Sequence, residues 1–237
     1  MSDVGRLVAA GALAAAAAWS APAPAPHVAA VARAFGIPLR LPRDDRIAIT
    51  FDDGPHPQGT PAVLELLARF GATATFFLVG EQVVRFPSLA AEIASAGHEV
   101  ALHGHRHVLL LRRLPRAVAR DFDRAAAVIE DATGRRPVLY RPPYGIFSAG
   151  TLALVRRRAW TPILWSRWGR DWGALEKPAA IAARATAGLR AGDVVLLHDA
   201  DHYSSPGSWR RTAAALPSIL EAVADLGVPA APVAQPT

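Results

Sequence analysis

Two adjacent carboxylates at the end of an apolar run are the first residues in the sequence that could do chemistry. Residues 50–55 read Thr-Phe-Asp-Asp-Gly-Pro, which places Asp52 next to Asp53. Asp-Gly-Pro by itself is an ordinary turn sequence. Two neighbouring carboxylates, however, cannot both be buried and ionised without a counter-charge. We therefore expect one of them to bind a cation and the other to stay beside it for proton transfer.

A group of histidines further along the chain could supply the remaining ligands of that cation. The sequence His-Gly-His-Arg-His begins at His103 and ends at His107, and a spacing of four puts these two side chains on one face of a helical turn. With Asp53 they make a set of two imidazoles and one carboxylate, which leaves positions open for water and substrate. Zinc is the simplest assignment, and the same ligands accept other divalent metals. A surface histidine cluster is the alternative, and we expect His98 and His105 to lie behind the ligands or on the surface.

Three further segments combine reactive or aromatic side chains with stiff or buried surroundings. Residues 140–145, Tyr-Arg-Pro-Pro-Tyr-Gly, predict a rigid loop that can present backbone amides toward a site, or simply a rigid turn. Residues 165–172 place three tryptophans around one carboxylate, which suits either the wall of a sugar-binding groove or core packing. Residues 193–199 predict a buried strand whose first exposed residue is His198, a usual position for an acid or base.

These segments lie at the ends of short β-type runs that alternate with helical patterns. Such alternation predicts a parallel α/β sheet, either open or closed into a barrel. Polar residues follow five different predicted strands, and a barrel gathers the carboxyl ends of all its strands around one pit. We therefore predict an α/β barrel of about seven parallel strands. The predicted strands are 47–51, 75–79, 99–102, 138–140, 161–165, 194–197 and 228–232.

Length and composition are those of one folded domain with a sizeable core. The chain has 237 residues, of which 51% are hydrophobic and 19% charged, and this excludes a disordered or collagen-like protein. Cysteine is absent, which excludes disulfides, thiolate nucleophiles and cysteine-ligated metals. The net charge of +6 comes almost entirely from arginines, which are scattered along helical stretches without interleaved aromatic residues. We therefore expect solvated helix faces and no nucleic-acid partner.

The N-terminal 45 residues differ in composition from the rest of the chain. Residues 7–19 are an alanine-rich apolar run, and residues 21–26 alternate alanine and proline. The run is shorter than the roughly 20 apolar residues of a membrane span but suits the hydrophobic region of a signal peptide. We predict a signal-like or anchor segment with a Pro/Ala-rich linker over 1–45, a catalytic domain over 46–232 and a tail over 233–237. A cytoplasmic protein with a disordered N-terminal tail is the alternative.

Taken in order, the segments described above resemble the polysaccharide deacetylase family, also called the NodB-homology domain, whose members are metal-dependent carbohydrate esterases. Five motifs of that family occur across residues 50–198, and the similarity runs from Arg46 to about Gly227. The resemblance implies a distorted (β/α) barrel and gives roles to a set of named residues. These are Asp52 as general base, positioned by Arg141; Asp53, His103 and His107 as metal ligands; His198 as general acid, tuned by Asp171; and Tyr144, Trp172 and Leu196 as contacts for the oxyanion, the sugar and the acetyl methyl group.

The activity that the resemblance implies is removal of N-acetyl groups from amino-sugar polymers or oligomers, such as peptidoglycan or chitin-like chains, with release of acetate. It also implies a divalent metal, most simply Zn²⁺, with Co²⁺ or Ni²⁺ as alternatives. We expect an acetylated carbohydrate as the partner, a monomer, and an extracytoplasmic protein that is secreted or held at the membrane through its N-terminus.

The sequence departs from the family pattern at two positions. Gly104 stands where the family usually has Ser or Thr, and the loss of that hydroxyl is expected to weaken the metal-binding loop. Trp168 stands where the family usually has Asp, which is expected to reshape the groove. Three alternatives therefore stay open: the same site acting on an O-acetyl ester or a non-sugar amide, a catalytically silent sugar-binding domain, and a basic protein of membrane surfaces or nucleic acids.

Overall fold

The computed structural model describes residues 3–234, in which helices alternate with strands. The helices are α1 (Asp3–Ser20), α2 (Ala29–Ala34), α3 (Gly59–Arg69), α4 (Gly80–Arg85), α5 (Pro87–Ser95), α6 (Pro115–Thr133), α7 (Ala149–Arg157), α8 (Pro178–Thr186) and α9 (Ser208–Ala224). The strands are β1 (Ala48–Asp52), β2 (Thr75–Leu78), β3 (Glu99–Leu102), β4 (Leu139–Tyr140), β5 (Thr161–Pro162), β6 (Arg167–Trp168) and β7 (Val194–His198).

All seven strands belong to one parallel sheet with the order β5-β4-β3-β2-β1-β7-β6. Within the described residues, the edge strands β5 and β6 do not pair with each other, so the sheet curves into a half-barrel that is open on this side. The predicted α/β fold with about seven parallel strands is confirmed. The opening between the edge strands is the distortion that the family resemblance implied.

The predicted strand over 228–232 is wrong. Within residues 3–234, the β pairing of this segment is limited to an isolated parallel bridge between Ala230 and Ile47. Pro229 and Pro232 have no amide N–H, so a ladder of hydrogen bonds cannot continue through this segment.

A different segment supplies the seventh strand. The predicted strand over 161–165 ends early, because β5 contains only Thr161–Pro162. The chain then crosses to the other edge of the sheet, where β6 pairs with β7. The predicted number of strands is therefore right, although one segment of the predicted set is wrong.

The adjacent interior strands β1 and β7 set the register of the site. Every residue of β1 and the first four residues of β7 are buried, as expected for parallel strands covered on both faces. Their pairing places Asp52, the last residue of β1, directly beside His198, the last residue of β7. Since neighbouring strands lie about 4.8 Å apart, these two side chains share the same edge of the sheet.

Helix α6 illustrates how the outer layer is held against the sheet. Val118, Phe122, Ala125 and Ile129 recur at helical spacing and are almost fully buried. Burial of a side chain the size of Phe122 contributes about 1.5–3 kcal/mol of hydrophobic stabilisation. The helix ends at Gly134, whose φ of 65° is in the left-handed region that glycine adopts without strain.

The segment before β1 packs against the sheet. The amide of Leu164, between β5 and β6, donates to the carbonyl of Pro38 at 2.9 Å, and the amide of Leu41 donates to the carbonyl of Gly192 at 2.8 Å. The predicted domain boundaries at residues 46 and 232 stay predictions, and side chains on both sides of them share one hydrophobic core. The core residues outside the boundaries are Ala25, Ala32, Ile37, Leu41 and Val233.

Among residues 3–234, no helix has the length and apolar character needed to cross a membrane.

Candidate active site

A cavity of about 370 Å³ opens at the carboxyl ends of the strands and collects most of the predicted site residues. Two of the predicted residues, Arg141 and Asp171, do not line it; both are fully buried behind it, in contact with Asp52 and His198 respectively. The lining residues are His27, Asp52, Asp53, His103, His107, Tyr144, Gly145, Trp165, Trp168, Trp172, Leu196, His198, Tyr203 and Ser204.

Asp53 presents an unpartnered carboxylate oxygen to two histidines. Its Oδ1 lies 3.4 Å from Nε2 of His103 and 3.3 Å from Nε2 of His107. This oxygen is buried and accepts no hydrogen bond within the described part of the chain. A buried carboxylate oxygen without a partner is costly unless a cation neutralises it. Two imidazoles and one carboxylate, with their ligand atoms within 4.8 Å of one another, therefore fit a divalent metal.

The charge states in this cluster suit metal coordination. Burial by itself raises the pKa of Asp53, but the adjacent His103 ring and the positive charges of His198 and His107 outweigh burial and lower this pKa to about 2. Burial lowers the pKa of His107 to about 4, against the opposing effect of Asp53. At neutral pH the cluster thus offers an ionised carboxylate and a neutral imidazole, the forms that bind metals. Nδ1 of His103 lies 2.9 Å from the carbonyl oxygen of Arg141, and donation to it leaves Nε2 free.

The two histidines meet through an irregular bend, and the predicted helical turn is wrong. Gly104 has a φ of 88°, and a Cβ at this position would lie 3.2 Å from the carbonyl oxygen of Arg106, so a larger residue would be strained. Asp121 on α6 holds the bend by accepting hydrogen bonds from the amides of His105 at 2.8 Å and Arg106 at 3.2 Å. A carboxylate from a neighbouring helix thus stabilises this loop, which lacks the hydroxyl that the family pattern usually has.

Arg141, which is buried behind the cavity, fixes the orientation of Asp52. Its guanidinium donates to Oδ1 of Asp52 at 2.7 Å and to the hydroxyl of Thr50 at 2.8 Å. A second nitrogen donates to the carbonyl of Leu164 at 2.9 Å, and the guanidinium carbon lies 4.0 Å from the centre of the Phe77 ring. Because Oδ1 is held in this way, Oδ2 of Asp52 faces the metal cluster, 3.8 Å from Nε2 of His103.

Asp171 holds His198 through both carboxylate oxygens. Oδ1 lies 2.9 Å from Nδ1 of His198, while Oδ2 accepts the backbone amide of His198 at 2.7 Å and the hydroxyl of Thr212 at 2.6 Å. Burial by itself lowers the pKa of His198, but the ion pair with Asp171 and the charges of Asp53 and Asp52 outweigh burial and raise this pKa to about 10. The ring is therefore protonated at neutral pH, with Nε2 available to a ligand in the cavity.

The remaining predicted residues form the walls of the cavity. Tyr144 lies in a short 3₁₀ turn with a φ of 61°, and its amide N–H makes no hydrogen bond within the described residues. Leu196 is buried at the floor, and Trp172 stands edge-on to His198 with ring centres 5.7 Å apart. The Trp168 ring lies between the rings of Trp172 and Trp165, with its centre 5.3 Å from that of Trp172 and 5.9 Å from that of Trp165.

Tyr203 is a site residue that was not predicted from the sequence. Its ring stacks on His107 at 4.3 Å with an angle of 10° between the planes. Its hydroxyl donates to Glu81 at 2.7 Å and accepts from Gln82 at 2.9 Å, so the ring is held in place. An aromatic residue in the loop after β7, five positions beyond His198, was the available clue, because this loop also starts from the carboxyl edge of the sheet.

The other histidines have structural surroundings. His98 is buried at the opposite end of the sheet and accepts from the amide of Ala74 at 3.3 Å, so its predicted place behind the ligands or on the surface is wrong. His105 is also buried, next to Gly80. Burial lowers the pKa of both rings, to about 4 for His98.

A second cluster, formed by His56, Asp201 and His202, has ligand atoms close enough for a metal. Nδ1 of His56, however, accepts from the amide of Gly59 at 2.9 Å, so the neutral ring carries its proton on Nε2. That nitrogen lies 3.1 Å from Oδ1 of Asp201 and donates to it. The hydrogen bonds within this cluster already satisfy the ring, which anchors the start of α3.

A set of one carboxylate and two imidazoles that fits a divalent metal lies beside an Asp–His pair, at the carboxyl edge of a parallel half-barrel. This combination of fold and site is that of a metal-dependent hydrolase. Residues 40–162 match the sequence profile of the family described as polysaccharide deacetylase. The chain belongs to this family.

Curated relatives and solved structures agree with the family assignment. A peptidoglycan-N-acetylglucosamine deacetylase of Bacillus cereus is 34% identical over 184 residues, which cover 76% of this chain and 83% of the relative. A chitooligosaccharide deacetylase of Azorhizobium caulinodans is 35% identical over 164 residues, which cover 69% of this chain and 78% of the relative. The crystal structure of the Bc1960 peptidoglycan N-acetylglucosamine deacetylase superposes with a TM-score of 0.78 at 24% identity, covering 84% of this chain and 92% of that structure, and shows the same fold.

Proposed function

We propose that this protein is a metal-dependent hydrolase that removes N-acetyl groups from amino-sugar polymers or oligomers and releases acetate. One observation carries the proposal: Asp52 and His198 end adjacent strands and line the same cavity as the Asp53 cluster. Amide hydrolysis needs a base to take a proton from water and an acid to give one to the leaving amine. A carboxylate and a protonated imidazole on neighbouring strands meet both needs.

Asp52 acts as the general base. Its Oδ1 is held by the Arg141 guanidinium, so the carboxylate cannot rotate away, and its Oδ2 faces the cavity and takes the proton of the attacking water. Asp53, His103 and His107 would hold a divalent metal, most simply Zn²⁺, which would supply Lewis acidity for the attacking water and the acetyl carbonyl.

The acyl group is oriented by the walls of the cavity. The free amide N–H of Tyr144 donates to the carbonyl oxygen as negative charge develops on it. Leu196 closes the apolar floor against the methyl group, so acetyl groups are favoured over longer acyl groups. Trp172 packs against the sugar ring.

His198 acts as the general acid. Asp171 fixes Nδ1 and helps to keep the ring protonated: burial lowers the pKa of His198, but Asp171, together with the charges of Asp53 and Asp52, outweighs burial and raises this pKa to about 10. The proton on Nε2 passes to the nitrogen of the departing amino sugar as the carbon–nitrogen bond breaks.

An acetylated cell-wall or chitin-like glycan as substrate is supported by the activities of the relatives, which are peptidoglycan and chitooligosaccharide deacetylases. The alanine-rich run over 7–19 supports export or attachment at the membrane, where such polymers are found. Cell fractionation is expected to find the protein outside the cytoplasm, either secreted or held at the membrane. We also expect the protein to be a monomer. A cytoplasmic pool with an intact N-terminus would contradict this location.

An O-acetyl ester as substrate is the second candidate function, and Trp168 favours it. The family usually has an acid at this position, and here an indole packs beside Trp172, with 5.3 Å between the centres of the two rings. An ester needs no strong acid to expel its alcohol, so this reaction would depend less on His198.

Acetate release distinguishes these functions. The metal-loaded protein is incubated with chitin oligomers, peptidoglycan and acetylated xylan, with and without a chelator. Asp52→Asn serves as the inactive variant, and Asp225→Asn, which changes an exposed carboxylate at the end of α9, is the charge-matched control. We expect release from the N-acetylated polymers, abolished by chelation. Release from acetylated xylan alone would establish the ester reaction instead, and no release from any polymer would refute both functions.

A further inference from the structure

Residues 19–41, named here the N-terminal strap, are anchored at both ends to the half-barrel. At one end the indole N–H of Trp19 donates to the carbonyl of Leu111 at 3.0 Å, and its ring lies against Gly150 where no Cβ would fit. At the other end the guanidinium of Arg40 makes an ion pair with the fully buried Asp193. The strap is therefore held by contacts that lie away from the cavity.

The middle of the strap reaches the active-site cavity. Pro26 packs against the Tyr144–Gly145 turn, since its Cγ lies 3.1 Å from the position that a Cβ on Gly145 would occupy. The next residue, His27, lines the same cavity as Asp53 and His198. The His27 ring is exposed to solvent and is not needed to hold the strap, whose anchors are elsewhere.

His27 extends an aromatic wall that begins at Trp168. The centres of these two rings are 5.6 Å apart, with an angle of 55° between the planes. On its other sides Trp168 contacts Trp165 at 5.9 Å and Trp172 at 5.3 Å. The wall thus runs from Trp172, beside the acid His198, to the strap.

We propose that His27 and Trp168 form a sugar-binding subsite next to the reaction centre, which holds a neighbouring pyranose of the glycan chain. The indole offers an apolar face to the C–H groups of the sugar, while the imidazole offers one donor and one acceptor nitrogen to its hydroxyls. This subsite makes the strap a specificity-determining part of the enzyme. The inference rests on the proposed function in that it takes the ligand to be an amino-sugar oligomer.

The test measures binding separately from catalysis. Asp52→Asn protein is titrated calorimetrically with tetra-N-acetylchitotetraose and with N-acetylglucosamine, alone and combined with His27→Ala. Loss of one ring contact is expected to raise the Kd for the tetrasaccharide by about threefold to tenfold, and the Kd for the monosaccharide by less. Val28→Ala, which changes an exposed neighbour on the strap outside the cavity, is the matched control and is expected to leave both Kd values in place.

A double-mutant cycle tests whether the two rings act together. In a Trp168→Ala background, His27→Ala is expected to raise the Kd by less than about twofold, because the pair is already broken. An unchanged Kd in His27→Ala, or an equal rise for monosaccharide and tetrasaccharide, would overturn the subsite. Unfolding temperatures of the variants report whether the exposed His27 affects folding, and a large drop would show that the residue is structural and overturn the proposal.

The failure of the subsite and that of the proposed function are distinguishable. If the wild-type protein releases no acetate while the Kd still depends on His27, the proposed function fails and the subsite stands. If acetate is released and His27→Ala changes neither the Kd nor kcat/KM for the tetrasaccharide, the subsite fails and the proposed function stands.

Discussion

Asp171→Asn removes the charge that faces His198 while keeping the size of the side chain. The pKa of His198 is raised from an ordinary value of 6.5 to about 10, and after the opposing effect of burial the ion pair and hydrogen bond with Asp171 are its largest causes. An opposite charge at hydrogen-bond distance accounts for about 1–3 pH units of such a rise. A general acid works only while protonated, so activity is lost as pH rises through its pKa. The alkaline limb of the pH–rate profile should therefore move down by about 1–3 pH units in the variant.

The maximal rate should also fall, by about 10²-fold or more. The Asn amide can donate to Nδ1, which favours the neutral ring and so lowers the fraction of protein that carries the imidazolium, the form that acts as the acid. The assay is kcat/KM for acetate release between pH 5 and 11 with metal-loaded proteins. A metal bound to Asp53 would neutralise the charge of this carboxylate equally in the wild type and in the variant. The difference between their alkaline limbs therefore reports the contribution of Asp171 alone.

Thr212→Val is the matched control for this experiment. Thr212 donates to the same carboxylate at 2.6 Å, so its replacement disturbs the packing around Asp171 but keeps the charge. The alkaline limb of this variant should stay close to that of the wild type. If Asp171→Asn leaves the alkaline limb in place, Asp171 is structural and the assignment of His198 as its acid partner is refuted.

Three other predictions concern the opposite side of the cavity. Asp52→Asn should keep its metal content, measured by elemental analysis, yet lose about 10²-fold or more in turnover; loss of metal would mean that Asp52 and Asp53 have exchanged roles. Chelation should abolish acetate release and added zinc or cobalt should restore it, whereas full activity of metal-stripped protein would contradict the ligand set. Arg141→Met should lower the free energy of unfolding in urea by about 3–5 kcal/mol, because it leaves the buried Asp52 without its partner; an unchanged value would refute the pair as a structural element.

Much of the fold and the site could be predicted from the sequence because the determining patterns are local. Short β-type runs and the helical patterns between them are recognised within a few residues, and their alternation predicted the parallel α/β architecture. Asp52, Asp53, His103 and His107 stand in short segments whose residue types already indicate metal and proton chemistry. Where local pattern was a poor guide, the prediction failed: the apolar run over 228–232 forms no strand, since its prolines lack the donors that pairing requires.

Tertiary structure alone decided which distant segments share the cavity. Tyr203 stacks on His107 from a loop 96 positions away. His27 reaches Trp168 only because the strap crosses the half-barrel between its edge strands. The orientation of Asp52 likewise depends on Arg141, from a different strand, and the pKa of His198 depends on Asp171, 27 positions earlier. Such contacts depend on the register and curvature of the whole sheet, and no local sequence pattern specifies a distance between side chains on different strands.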